Sequence, residues 1–306
     1  MQIVVFGAGS LGSLLGAVLA REHEVTLVAR EAHADAVRAD GIRLEGELEA
    51  VVHPRATTDG AGLEADLAVV AVKAFDTESA AKTLATGRFD AVLSVQNGMG
   101  NEATLAESLE APVLSGTVTY GAILREPGFV ECTGVGEITL GPRDGGRSSL
   151  ATAVGEAFER AGLETTVAED MPVRRWRKLA VNAGINPITA LTATENGAVL
   201  ESPANAVARA ATRETARTAR ATGVSLSNRD ALEAMESVAA ETRANTSSMA
   251  QDVLAGRRTE IDSISGYVVD RAAEHGLEVP TNRLLADLVR TWEREHARIA
   301  LGDGRS

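Results

Sequence analysis

Ile3-Val4-Val5-Phe6-Gly7-Ala8-Gly9-Ser10-Leu11-Gly12 is an apolar run that ends in a G-x-G-x-x-G turn. Behind it Leu11, Leu14, Leu15, Val18 and Leu19 recur at helical spacing, and residues 24–29 (Glu-Val-Thr-Leu-Val-Ala) form a second apolar run. The order is strand, glycine turn, helix, strand. Each glycine has a task in such a unit. Gly7 permits the tight turn, Gly9 lets the backbone approach a pyrophosphate, and Gly12 lets the helix sit close to the strand. The N–H groups of Ser10 and its neighbours at the helix start then face an anion. A dinucleotide-binding layer is the reading this context favours. The alternative is a tight glycine turn without a ligand.

Residue 30 follows the second strand, where an acid would select a ribose hydroxyl and a base a 2′-phosphate. The chain has Arg30 and then Glu31. Arg30 favours NADPH, because guanidinium pairs well with phosphate; Glu31 leaves NADH as the second choice. A solvated surface charge is the plainer account of Arg30. Further strands are expected at 67–72, 91–95, 113–119, 129–133, 137–140 and 164–167, with a hairpin and crossover at 43–59. The polar loop 144–149 leads into an amphipathic helix with Leu150, Val154, Ala157, Phe158 and Ala161 inward. Two strand ends carry polar residues where a doubly wound sheet places ligands: Lys73, and Gln96-Asn97-Gly98-Met99-Gly100. Asn97 fits a ligand contact or an ordinary Asn-Gly turn.

From about residue 171 helical periodicity takes over. The predicted division is 1–169 and 170–306. Leu284, Leu285, Leu288, Val289 and Trp292 make one stripe, facing either core or a partner subunit. Leu232, Met235, Val238 and Ala239 make another. In Lys178-Leu179-Ala180-Val181-Asn182-Ala183-Gly184-Ile185-Asn186-Pro187, the lysine and two asparagines recur at i, i+4 and i+8 and share one helix face. Buried polar groups need partners, so this face is either a binding wall or a solvent stripe. Pro187 is expected to interrupt or bend the helix, and Asn196-Gly197 reads as a turn. Asn245-Thr246-Ser247-Ser248 resembles a helix start with capping residues. Arg257 to Asp262 opens a helix with Ile261, Ile264 and Val268 inward; Glu260 in its first turn is also ordinary dipole chemistry.

The formal charge of −13 argues against nucleic-acid binding. Lys73, Lys82 and Lys178 are the only lysines among 30 basic residues, which fits a GC-rich genome, high-salt adaptation, or both. No apolar run approaches the length of a membrane span. The first residues read as a strand rather than a leader. With a single cysteine, Cys132, a reducing, cytoplasmic location is expected. Five scattered histidines predict no metal site.

Taken together, these pieces resemble the ketopantoate reductase family over nearly the whole chain. They occur in family order: the turn from Gly7 to Gly12, Arg30, Lys73, Gln96-Asn97-Gly98-Met99-Gly100, Lys178 with Asn182 and Asn186-Pro187, Asn196-Gly197, Asn245 with Ser248-Met249, Gln251-Asp252, and Thr259-Glu260-Ile261-Asp262. The resemblance implies an α/β Rossmann domain followed by an all-α domain, with the active site between them. It implies NAD(P)H-dependent reduction of 2-dehydropantoate to (R)-pantoate on the route to pantothenate and coenzyme A. Lys178 would donate the proton. Asn97, Asn182, Asn186, Asn196, Asn245 and Ser248 would hold substrate. Lys73, Asn97, Glu260 and the backbone of Ala122 would lie at the cofactor, with Glu260 also reaching the chemistry. A homodimer is one assembly compatible with the sequence. The alternatives are a reductase of another 2-keto or 3-hydroxy acid, and a non-catalytic NADP(H) sensor on the same scaffold. A sensor has no reason to keep Lys178, the asparagines and Glu260 together.

Overall fold

A strand whose sheet is covered on both faces can be apolar on both sides, and the first strand is so from Ile3 onward. In the computed structural model, which describes residues 1–300 and the side chains of 1–296, β1 (Gln2–Phe6) buries Ile3, Val4, Val5 and Phe6. The elements that follow are α1 (Ser10–Leu19), β2 (Glu24–Val28), α2 (Glu31–Asp40), β3 (Ile42–Gly46), β4 (Ala50–Val52), β5 (Arg55–Thr57), β6 (Glu64–Val70), α3 (Thr77–Leu84), β7 (Arg88–Ser94), α4 (Asn101–Ser108) and β8 (Val113–Val118). Then come β9 (Gly121–Glu126), β10 (Phe129–Gly134), β11 (Ile138–Pro142), α5 (Ser149–Ala161) and β12 (Thr165–Val167).

Eight strands form one sheet in the order β12-β11-β8-β7-β6-β1-β2-β5. From β5 to β8 every pairing is parallel; β11 pairs antiparallel with β8. This is a doubly wound, Rossmann-like α/β layer. The stretch 43–59 does hold a hairpin, β3 with β4, and then a crossover strand, β5, that joins β2. Gly121–Glu126, where no strand was expected, form β9, which pairs with β10 in a second, four-stranded sheet, β4-β3-β10-β9. The glycines and charged residues there mask a strand whose partner lies on the far side of a tight turn.

His33 on α2 is the buried polar link in this layer. Its Nδ1 accepts the Gly128 N–H at 3.0 Å, so its Nε2 carries the proton and donates to Ser13 Oγ on α1 at 2.9 Å. The ring therefore ties α1, α2 and the β9–β10 turn together, but only while neutral.

The chain divides into two compact units, Met1–Met171 and Pro172–Ser306. The second is helical: α6 (Met171–Thr192), α7 (Ala204–Ala221), α8 (Asn228–Glu241), α9 (Ser248–Leu254), α10 (Ser265–Glu274) and α11 (Pro280–Ala300), with short 3₁₀ turns at Asn196–Leu200 and Ile261–Ser263. Val181, Ile185, Ile188, Ala208, Ala211, Met235 and Leu285 pack at its centre. Glu214 of α7 caps α11, accepting the N–H groups of Thr281 and Asn282 at 3.0 and 2.9 Å. A carboxylate is favoured at this positive helix end. The Leu284–Trp292 stripe is only half inward: Leu285 and Val289 are buried, while Leu284 and Leu288 are 58% and 46% exposed. Val238 of the other stripe is also exposed. Among the described residues no helix is long and apolar enough to cross a membrane.

Burial holds His33 below the ordinary histidine range. Its folded-state value is depressed, so its contribution to stability is complete above roughly pH 6.5 and declines as pH falls below that, where the unfolded chain takes up a proton that the folded one refuses. Thermal unfolding of wild type and His33→Gln at about pH 7.5 and 5.5 checks this. Wild type should lose more on acidification; equal losses would show that another group titrates.

Candidate active site

The register of the parallel strands decides where the loops leave. Phe6 pairs with both Val28 and Val70, and Val70 pairs with Ser94. The glycine turn, Arg30, Lys73 and Asn97 therefore all follow strands that end level at one sheet edge. Gly7 sits at φ +102°, and a Cβ there would lie 2.7 Å from Val72 N. A Cβ at Gly12 would lie 2.3 Å from the Gly7 carbonyl. A Cβ at Gly9 would meet nothing within 4 Å. Two glycines are thus required by packing, and the third leaves open space over the backbone. The Ala8 N–H is held by the Val28 carbonyl, and Leu11 packs against the core. Ser10 Oγ accepts the Leu124 N–H of β9 at 3.0 Å. The leading N–H groups of α1 have no partner within the helix. This cradle fits a dinucleotide pyrophosphate.

Arg30 stands exposed at the N-terminal cap of α2, and among the described residues it forms no ion pair. Lys73 and Asn97 are coupled by a buried polar chain that sequence reading missed. Gln96 Nε2 donates to the Val72 carbonyl at 3.1 Å and to Thr77 Oγ1 at 2.7 Å. Thr77 donates to Asn101 Oδ1, and Asn101 Nδ2 donates to the Asn97 carbonyl. The chain fixes the two strand-end loops to each other and leaves the half-buried Asn97 side chain to point elsewhere. Ala122 lies at the start of β9, paired with Cys132 and packed against α1's core neighbours.

In the helical unit, α6 carries Lys178, Asn182 and Asn186 in successive turns, with Asn186 buried and the other two half-buried. Pro187 lies inside this helix and does not interrupt it, so the first of the two expected effects is absent. Ile185 and Ile188 anchor the turn in the core, and Thr189 Oγ1 donates to the carbonyls of Ile185 and Asn186, both at 3.1 Å. Thr189 also meets Ser247 Oγ at 2.7 Å. Ser247 is the buried N-cap of α9, accepting from the Ala250 N–H, so the turn bearing Asn186 is tied to the turn bearing Asn245 and Ser248. Ser248 itself is exposed at the first position of α9. Such a cap contributes about 1 kcal/mol.

Asn196 is joined to the same turn through its backbone, N–H to the Asn245 carbonyl at 3.0 Å. Its Nδ2 donates to Thr242 Oγ1 at 2.9 Å, and the Thr242 hydroxyl spends its hydrogen on the Val238 carbonyl. That fixes the amide orientation and leaves Asn196 Oδ1 buried without a partner. An orphan acceptor of this kind costs about 1–3 kcal/mol, more than the single bond made by Nδ2 returns, at about 0.5–1.5 kcal/mol. An acceptor left open in this way can take a hydrogen from a hydroxyl or amine outside the chain.

Burial lowers the Lys178 ammonium from its ordinary value to about 8, against the pull of Glu260, whose charge raises it. Glu260 is buried at the entry to the 261–263 turn. An ammonium in this range can give up a proton near neutral pH, and the polar side chains that follow it on the same helix face, Asn182 and Asn186, are uncharged. Among the described residues no group of three or more acidic, histidine or cysteine side chains could hold a metal.

Known proteins share this arrangement of sheet, turn and helices. Residues 3–145 match the family model "Ketopantoate reductase PanE/ApbA", and residues 170–293 match "Ketopantoate reductase PanE/ApbA C terminal". The chain is 45% identical over 304 residues to a 2-dehydropantoate 2-reductase of Halobacterium salinarum, covering 96% of this chain and all of the relative. A crystal structure of a PanE/ApbA family ketopantoate reductase from Ralstonia eutropha superposes with a TM-score of 0.89 at 34% identity, covering 97% of this chain and 100% of that one. D-mandelate dehydrogenase, solved with NADH and anilino(oxo)acetate, shares the fold with a TM-score of 0.90 at 23% identity, covering 97% and 99%. With both halves matched and full-length relatives above 30% identity, the chain belongs to the ketopantoate reductase family, a family of oxidoreductases.

Proposed function

We propose that the protein is a 2-dehydropantoate 2-reductase that converts ketopantoate to (R)-pantoate with NADPH, supplying pantothenate and coenzyme A synthesis. The observation that carries the reading is Lys178: an ammonium brought down to about 8 by burial, with Glu260 as its counter-charge, on a helix face shared with Asn182 and Asn186. The 1–169 portion would hold the dinucleotide through the turn Gly7 to Gly12, with Arg30, Lys73, Asn97 and the Ala122 backbone contributing, and Glu260 is the one cofactor candidate from the 170–306 portion. The 170–306 portion would hold substrate.

When bound, the reduced nicotinamide supplies the hydride that reaches the keto carbon. Lys178 stabilises the charge developing on the carbonyl oxygen and gives it a proton. Asn97, Asn182, Asn186, Asn245 and Ser248 orient the substrate's carboxylate and hydroxyl groups. Asn196 Oδ1 accepts a hydroxyl hydrogen, which removes the penalty of its orphaned state. Glu260 keeps Lys178 protonated at neutral pH. Because the acid must carry its proton, kcat/KM for ketopantoate reduction stays level at neutral pH and falls as pH rises past about 8.

Two outcomes test the reading. Lys178→Ala should lower kcat by at least about 10²-fold with the helical content unchanged, and Lys178→Arg should not restore it, since guanidinium does not deprotonate and has a different shape. Near-normal turnover by either variant removes Lys178 from the chemistry; oxidation of NADPH driven equally by pyruvate would point to a broader 2-keto-acid reductase. Arg30→Ala should raise KM for NADPH while leaving that for NADH little changed, because a guanidinium at this strand end pairs with the 2′-phosphate that NADH lacks. Equal effects on both cofactors would show that Arg30 is not the selector.

A further inference from the structure

Glu260 is placed by a contact from the other end of the helical unit. Glu293 lies on α11, and its Oε1 accepts both the backbone N–H and the hydroxyl of Thr259, each at 2.7 Å. Thr259 Oγ1 in turn accepts the Ile261 N–H at 3.2 Å. The residue between them is Glu260. Its carbonyl is held as well, by the Ser263 hydroxyl at 3.0 Å. One turn earlier on α11, Arg290 Nε donates to Asp262 Oδ1 at 2.8 Å, and Asp262 also meets Arg258 at 3.7 Å. Thr259 and Glu260 are both buried. The helix that makes these contacts is itself fixed at its N-terminus by Glu214.

A backbone N–H and a hydroxyl converging on one carboxylate oxygen form a charge-assisted clamp, stronger and more directional than neutral bonds. The clamp grips the residue immediately before Glu260 and, through Thr259, the residue after it. The charged groups beside the clamp are Arg290, Arg258, Asp262 and Asp287, two of each sign, with Arg290 paired to both aspartates and Arg258 to Asp262. Glu293 touches neither Lys178 nor any substrate-binding candidate among the described contacts.

We infer that Glu293 is a positioning residue of the active site, which through Thr259 fixes the backbone of Glu260 and so holds the Glu260 carboxylate in its working relation to Lys178. The inference deepens the reductase reading and rests on it for its kinetic consequence, but not for its structural one. If Glu293 releases Thr259, Glu260 moves or gains water, and its support of the Lys178 ammonium weakens. Burial then acts with less opposition, and the proton leaves Lys178 at lower pH.

The chain's three lysines make this measurable without turnover. The pH dependence of Lys178 labelling by a limiting amine-reactive reagent, read peptide by peptide by mass spectrometry, reports the ammonium directly, with Lys73 and Lys82 as internal references. Wild type should show a midpoint near 8. Glu293→Ala and the milder Thr259→Val should lower it by roughly half to one pH unit, and the alkaline limb of kcat/KM for ketopantoate should move down in parallel. Glu293→Gln, whose amide oxygen still accepts both bonds, should restore most of the wild-type midpoint. In a Glu260→Gln background, adding Glu293→Ala should move the midpoint no further. An unchanged Lys178 midpoint in both Glu293→Ala and Thr259→Val, with folded protein by circular dichroism, overturns the inference. A shift that persists in the Glu260→Gln background also overturns it, since Glu293 would then act by another route. Absence of ketopantoate reduction by wild type with the labelling shift intact would instead fault the reductase reading and leave the clamp standing.

Discussion

Parallel pairing around β1 is the constraint on which the nucleotide half depends. A parallel ladder leaves every strand pointing the same way, so every loop that follows a strand emerges at one edge. Phe6, Val28, Val70 and Ser94 stand level in that ladder. The glycine turn, Arg30, Lys73 and Asn97 are scattered over ninety residues of sequence, yet they gather because their strands end together. The β-branched and apolar residues of β1, β6 and β7 make this possible, since a strand covered on both faces must be apolar throughout.

Local polar networks then refine what the ladder positions coarsely. Gln96, Thr77 and Asn101 join the Lys73 loop to the Asn97 loop. In the helical unit Thr189 and Ser247 join the Asn186 turn to the turn that carries Asn245 and Ser248. Glu293 and Thr259 do the same for Glu260. In each case a buried network supports a neighbour that is a candidate for the chemistry. Such networks are favourable only when complete, because the low dielectric that strengthens each bond also penalises each missing one. Asn196 Oδ1 is one of several buried atoms that depart from this rule, with Ser115 Oγ, Ser265 Oγ, Arg271 Nε and Asn282 Oδ1 among the described residues.

Lys178 shows two opposing effects acting on one ammonium. Desolvation alone would push an ammonium far down and make it a poor proton carrier at neutral pH. A single counter-charge, Glu260, limits the fall to about 8. The neighbouring side chains on the same face are amides, so the balance is not disturbed by a second carboxylate. Arginine could not take the position, because its charge does not respond to burial on this scale.

Much of this was legible in the residues. The strand, glycine turn and helix from Ile3 to Leu19 are dictated by local rules: an unbroken apolar run, glycines where no Cβ fits, and leucines at helical spacing. The i, i+4, i+8 series of Lys178, Asn182 and Asn186 is likewise a property of helix geometry alone, as is the cap at the start of α9. What the tertiary structure decided depends on partners distant in sequence. β9 is a strand only because β10 pairs with it. Pro187 stays inside α6 because core packing and the Thr189 hydroxyl hold the turn around it. Leu284 and Leu288 are outward because the core accepts a narrower arc of α11 than its apolar residues span. Glu293 meets Thr259 across 34 residues of chain, and no periodicity or motif carries that information, since an acid on an exposed-looking helix face has no sequence mark until the fold supplies its partner.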